Sequence, residues 1–129
     1  MTRLLIVEDQ PNDLRNATDT ARSLGFTEVE ARSSAMAAKL YLEKGIEGDH
    51  PLPQVILLDL DLGYESGFEL LRFWHGNPNL SVIPMIVWTV MGEDQREICR
   101  LFKVTAFISK TDGLHLLKEA LTGLARSAS

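Results

Sequence analysis

At 129 residues the chain is about one domain long. Its 45% apolar and 24% charged residues are ordinary globular values that exclude a disordered or fibrous chain, and a chain of this size buries roughly two-thirds of its unfolded surface without staples. Thirteen Lys and Arg against eighteen Asp and Glu leave a net charge of −5, the wrong sign for holding nucleic acid through its phosphates.

The single cysteine, Cys99, excludes an internal disulfide and any Cys-rich metal site and fits a reducing compartment, so the cytoplasm is the expected location. The longest apolar run, Val82 to Met91, is about half the ~20 residues a membrane span needs and is interrupted by Pro84 and Thr89. The apolar stretch before Glu8 is too short for a secretory signal.

Leu4 to Val7 is a short apolar run stopped by Glu8 and Asp9, the pattern of a strand buried on both faces. Pro11 opens an amphipathic helix with Leu14, Ala17, Ala21 and Leu24 at three- and four-residue spacing, stopped by Gly25. Thr27 to Ala31 reads as a strand, Ser33 or Ser34 caps a helix through Glu43, and the loop across Gly45 to Pro53 is the segment expected to move most. Val55 to Leu58 is the most apolar strand, followed by a loop from Leu60 to Ser66 and a helix from Gly67 to His75 whose Phe68, Leu70, Leu71 and Trp74 read as packing residues. Ile83 to Trp88 is a fourth strand with Pro84 near its start, Gly92 to Phe102 a helix, Val104 to Ile108 a fifth strand, and Asp112 to Leu124 a closing helix. Five strands alternating with five helices predict a doubly wound α/β fold with a parallel sheet.

In such sheets ligands bind beyond the carboxyl ends of the strands. Those ends carry Glu8 and Asp9, then Asp59, then Thr89, then Ser109 and Lys110. Three converging carboxylates imply a compensating divalent cation, and an all-oxygen donor set with no His or Cys favours Mg²⁺. A threonine hydroxyl and a lysine ammonium opposite the metal suit phosphoryl oxygens, leaving a carboxylate to attack and form an acyl phosphate. Glu8 and Asp9 could merely cap the first helix, and Thr89 or Lys110 alone would be unremarked, but an acid closing a run as apolar as Val55 to Leu58 is out of place without a task. His50, His75 and His115 show no metal-ligand spacing and read as ordinary surface residues.

The set resembles the receiver domain of two-component response regulators, of the stand-alone, chemotaxis-regulator-like kind with a flavodoxin-like fold. The resemblance runs over residues 3 to 124, with residues 1–124 as the domain and 125–129 as a short tail. It rests on Leu5-Ile-Val-Glu-Asp9, on Val55-Ile-Leu-Leu-Asp59 with Gly67 eight residues on, on Pro84-Met-Ile-Val-Trp-Thr89 and on Ala106-Phe-Ile-Ser-Lys110.

The resemblance implies that Asp59 accepts a phosphoryl group from a histidine kinase or phosphotransfer protein. It also implies a Mg²⁺ ion, or Mn²⁺, held by the carboxylates of Asp9 and Asp59, the backbone carbonyl of Asp61, and Glu8 through water. Thr89 and Lys110 would bind the phosphoryl oxygens, and Phe107 would change rotamer as Thr89 moves. The output face would be the fourth helix, fifth strand and fifth helix, meeting a protein target or a second copy, with Arg96, Arg100, Lys103 and Lys118 as local positive charge. Such a domain catalyses only its own phosphotransfer and dephosphorylation.

Four positions depart from the family pattern. Gly63 replaces a proline and would loosen the loop after Asp59. Thr111 replaces another proline, often cis, and leaves the isomer of the Lys110–Thr111 bond open, since a cis bond before a non-proline costs ~2.5–4 kcal/mol. Val90 is bulkier than the usual Ala or Gly, and Asp61 adds an acid; with Met91, these two are the candidates for setting access and phosphate lifetime.

Asp59-Leu-Asp61, Thr89 and Lys110 also resemble the first motifs of haloacid-dehalogenase-like phosphatases. Those need a second acidic pair after the lysine, where only Asp112 and Glu119 remain. A flavin-binding domain would be repelled by the acids after the first strand, and a phosphorylation-independent interaction module is the remaining alternative.

Overall fold

A computed structural model describes residues 2–90 and 92–128. Five strands form one sheet: β1 (Arg3–Val7), β2 (Glu28–Arg32), β3 (Val55–Leu58), β4 (Met85–Thr89) and β5 (Ala106–Ser109). Its order is β2-β1-β3-β4-β5, and every pair is parallel. The long helices are α1 (Pro11–Ser23), α2 (Ala35–Ile46), α3 (Phe68–Gly76), α4 (Glu93–Leu101) and α5 (His115–Ala128).

The period-two alternation of the strands divides the core. Leu5, Val7, Ile56, Leu58, Met85 and Val87 pack toward α2, α3 and Cys99 of α4. Leu4, Ile6, Val55, Leu57, Ile86 and Trp88 face the other way, onto Ala17 and Ala21 of α1 and Leu117 and Leu121 of α5. Both faces are covered, so the three central strands carry unbroken apolar runs. The Trp74 indole N–H donates to the Ile83 carbonyl at 3.0 Å, which lets the ring stay buried in α3.

Several expectations are corrected. The described residues form six α-helices, because Asn77 caps an additional four-residue helix, Pro78–Ser81, by accepting from the Asn79 N–H at 2.9 Å. A 3₁₀ turn, Lys110–Asp112, precedes Gly113 at φ +80°, so α5 begins at His115 and runs past Leu124 to Ala128. The fourth strand begins two residues late, at Met85, and β5 begins at Ala106 because Lys103 (φ +62°) turns the chain around the end of α4.

Within the loop expected to move, several groups have partners. α2 continues to Ile46, and His50, read as an ordinary surface residue, stacks on Tyr41 at 4.1 Å and bonds the Tyr41 carbonyl at 2.9 Å. The segment after Asp59, expected to be loosened by Gly63, forms a short hairpin. Asp61–Leu62 pairs antiparallel with Glu65–Ser66, with Gly63 at φ +73° in the turn. That φ is one proline cannot adopt, so the glycine is what permits this hairpin. Glu65 then reaches α2, its carboxylate accepting from the Ala35 N–H beside the Ser34 cap.

Candidate functional site

Strand order reverses between β1 and β3, and the crevice beyond their carboxyl ends is the expected ligand position. Each ladder extends one residue past its strand. The Glu8 N–H donates to Arg32 and the Asp59 N–H to Val7, both at 3.0 Å, so each acid is delivered to the crevice by backbone pairing. Gly67 is needed behind them: a Cβ there would stand 2.5 Å from the Asp59 carbonyl oxygen and 2.9 Å from the Leu60 Cα.

Both Asp59 carboxylate oxygens are held. Oδ1 accepts from the Thr89 hydroxyl at 2.8 Å and from the Asp61 N–H at 3.0 Å. Oδ2 accepts from Lys110 Nζ at 2.9 Å. The same ammonium contacts Glu8 Oε1 at 2.7 Å and Asp13 Oδ2 at 2.8 Å, and lies 5.0 Å from the centre of the Trp88 ring.

Burial pushes the Glu8 carboxyl up to about 7, against the pull of its hydrogen bond from Lys110 and with a further push from the charge of Asp59. Burial alone would lower Lys110; its hydrogen bonds to Asp13, Glu8 and Asp59 outweigh that and hold the ammonium well above its usual range. The cleft, of about 540 Å³, is lined by Asp9, Gln10, Asn12, Asp13, Asp59, Asp61, Gly63, Val90 and Lys110.

Among the described residues, the acids gathered closely enough to share a metal are Glu8, Asp9 and Asp59, whose ligand oxygens lie within 4.8 Å of one another. An all-carboxylate set of this kind fits a hard divalent cation. Asp112 and Glu119 lie outside it, so the second acidic pair of a haloacid-dehalogenase-like site is not found among the described residues.

No protein-family model matches the chain. Response regulator Rcp1 of Synechocystis sp. is 28% identical over 124 residues, covering 94% of this chain and 84% of that protein. Among solved structures, the phosphorylated cyanobacterial phytochrome response regulator RcpA matches with a TM-score of 0.80 at 26% identity, over 98% of this chain and 93% of that one. The Mn²⁺-bound form of Rcp1 matches with a TM-score of 0.80 at 29% identity, over 96% and 91%. The chain has the receiver fold of these response regulators and is similar to them over nearly its whole length.

In this chain the strand-end residues named from sequence, Glu8, Asp9, Asp59, Thr89 and Lys110, lie together at the crevice. Val90, 58% exposed, lines the cleft, and Asp61 lines it while donating its N–H to Asp59. Met91 lies outside the described residues. The described chain has no cis peptide bond, so the Lys110–Thr111 bond is trans.

Phe107 is half-buried, and Arg96 of α4 covers it, with the guanidinium 4.7 Å from the ring centre and Nη1 donating to the Phe107 carbonyl at 3.2 Å. The positive charge expected on that face is partly neutralised: Arg96 pairs with Glu93 at 3.3 Å and Arg100 with Glu97 at 3.4 Å, the i, i+3 spacing placing each acid one turn before its base. Asp13 was not among the residues singled out from sequence. It sits in the first turn of α1, four residues after Asp9, where an acid reads as a helix-dipole partner.

Proposed function

We propose that this receiver takes a phosphoryl group onto Asp59 from a histidine kinase or phosphotransfer protein in the cytoplasm, and passes the change to a protein partner or a second copy. The observation that carries it is the Asp59 carboxylate itself, buried at the end of β3 with donors from Thr89, Asp61 and Lys110 on its two oxygens. The donor set supports phosphoryl transfer because hydroxyl, backbone N–H and ammonium are the groups that stabilise charge on phosphoryl oxygens.

In the step, an Asp59 oxygen attacks phosphorus, a P–O bond forms, and the P–N bond of phosphohistidine breaks. Its electron pair leaves on the imidazole nitrogen, and water supplies the proton that makes the ring neutral. Loss of the group is a second displacement at phosphorus: water attacks, the bond between phosphorus and the Asp59 oxygen breaks with its electron pair returning to the carboxylate, and the water's proton is released, giving inorganic phosphate and the free carboxylate. Glu8, Asp9 and Asp59, with the Asp61 carbonyl, would hold Mg²⁺ or Mn²⁺; when bound, the ion neutralises charge that would otherwise repel an anionic donor. The phosphorylated state of RcpA and the Mn²⁺ bound by Rcp1 support this reading by likeness.

In the resting structure the Thr89 hydroxyl already donates to Asp59 Oδ1 at 2.8 Å; phosphorylation moves that acceptor out onto a phosphoryl oxygen, Thr89 follows it, and Phe107 repacks against the threonine. The surface altered is α4, β5 and α5. Incubation with acetyl phosphate and Mg²⁺ is expected to add one phosphoryl mass to the wild type and none to Asp59→Asn; labelling of the variant at another carboxylate would overturn the assignment.

A further inference from the structure

A lysine ammonium has three N–H donors and no more. Those of Lys110 are taken up by three carboxylates, Glu8 Oε1 at 2.7 Å, Asp13 Oδ2 at 2.8 Å and Asp59 Oδ2 at 2.9 Å. For Lys110 to give a phosphoryl group on Asp59 more than the one N–H that Asp59 already holds, its contact with Glu8 or with Asp13 must be given up.

The three partners are not equivalent. The Glu8 and Asp59 side chains are 1% and 5% exposed, whereas that of Asp13 is 32% exposed. Asp59 loses its carboxylate charge on becoming the acyl phosphate, so its hold on Lys110 passes to the phosphoryl group; of the two acids that still hold the ammonium, only Asp13 has water at hand when it is displaced, whereas stranding the buried Glu8 is far costlier. Asp13 is also the partner contributed by α1 rather than by a strand end, and it lines the cleft through which a phosphodonor arrives.

We propose that Asp13 is a positioning residue that tethers Lys110 in the resting state and competes with the phosphoryl group for it. The phosphorylated state forms against this tether, and Asp13 thereby sets how tightly a phosphoryl group on Asp59 is held. The inference rests on the phosphoacceptor reading of Asp59 and adds to it an acid whose effect on the phosphoryl group opposes its effect on the metal. Asp13 repels the phosphoryl group and withholds its lysine, yet its negative charge helps draw a divalent cation into the cleft.

That opposition supplies the test. Mg²⁺ affinity is measured by titration calorimetry, and the affinity for beryllofluoride at saturating Mg²⁺ by ¹⁹F NMR, in the wild type, Asp13→Asn, Asp13→Glu and Asp59→Asn. Asp13→Asn is expected to bind beryllofluoride roughly threefold or more tightly, the scale of releasing one partly exposed ion pair, while its Mg²⁺ affinity stays level or falls. Asp13→Glu should return both toward wild type. Beryllofluoride affinity in Asp13→Asn that equals or falls below wild type overturns the tether. So does parallel weakening of both ligands with a lowered melting temperature, which is the mark of a purely structural side chain. If the wild type binds no beryllofluoride, or Asp59→Asn binds it equally well, the phosphoacceptor reading itself falls and the tether with it.

Discussion

β3 and α4 serve the same molecule under opposite constraints. All four residues of β3 are buried, and the strand is paired on both sides, by β1 and by β4. α4 has nine residues, of which one, Cys99, is fully buried. Asp59 therefore leaves a strand that has no room to move, and Phe107 is covered by Arg96 from a helix with little holding it down. Chemistry at a carboxylate needs donors fixed to a few tenths of an ångström, whereas a switched surface needs states close in free energy, and such surfaces are drawn from the less stable parts of a fold.

The comparison can be broken by truncation. Leu57→Ala is expected to cost about 2–5 kcal/mol, as buried large-to-small changes do, read as a fall in the denaturant midpoint at constant slope. Gly67→Ala comes next, at about 1–3 kcal/mol, because the new Cβ meets backbone atoms of Asp59 and Leu60 that cannot step aside. It should also impair labelling of Asp59, since the displaced backbone is that of the acceptor.

Glu8 gives a pH dependence with a definite sign. Its carboxyl titrates at about 7 in the fold against an ordinary 4.5, so between these values the folded state holds a proton the unfolded chain releases. The corresponding stability is fully present below about pH 4.5 and is lost as pH rises through about 7 in metal-free protein. Glu8→Gln should flatten that slope in equilibrium unfolding measured across the window; an unchanged slope would assign it to another group.

On the α4 side the effects are smaller. Arg96→Ala removes the contact over Phe107 and should cost about 0.5–1 kcal/mol, with a shift of the Phe107 ring resonances. Ile98→Ala, at a position 41% exposed, should stay within about 0.5 kcal/mol. A cost above 2 kcal/mol there would show that α4 is anchored as firmly as β3.

What could be read from sequence follows the same division. An apolar run closed by an acid is a local pattern, so β3, Asp59 and the other strand ends were legible, and with them the parallel sheet and the crevice. Asp13 was not, because its partner Lys110 is 97 residues away and its own position is explained by the start of α1. Glu65 and His50 escaped for the same reason: each is held by a backbone group on another element. Gly63 was legible as a departure from the family proline but not in its effect, which depends on the hairpin that its positive φ allows. The starts of β4, β5 and α5 were misjudged where a turn residue, Lys103 or Gly113, sets the boundary rather than hydrophobicity.

The central claim is that a fixed acceptor drives a loosely held face, and amide hydrogen exchange with and without Mg²⁺ and beryllofluoride tests it most directly. The expected result is strong protection of β3 in both states, with protection changing across Glu93–Leu101 and Ala106–Ser109 when the mimic binds. Changes confined to α1 and the hairpin after Asp59, with residues 92–124 silent, would contradict it and show that output leaves by another surface.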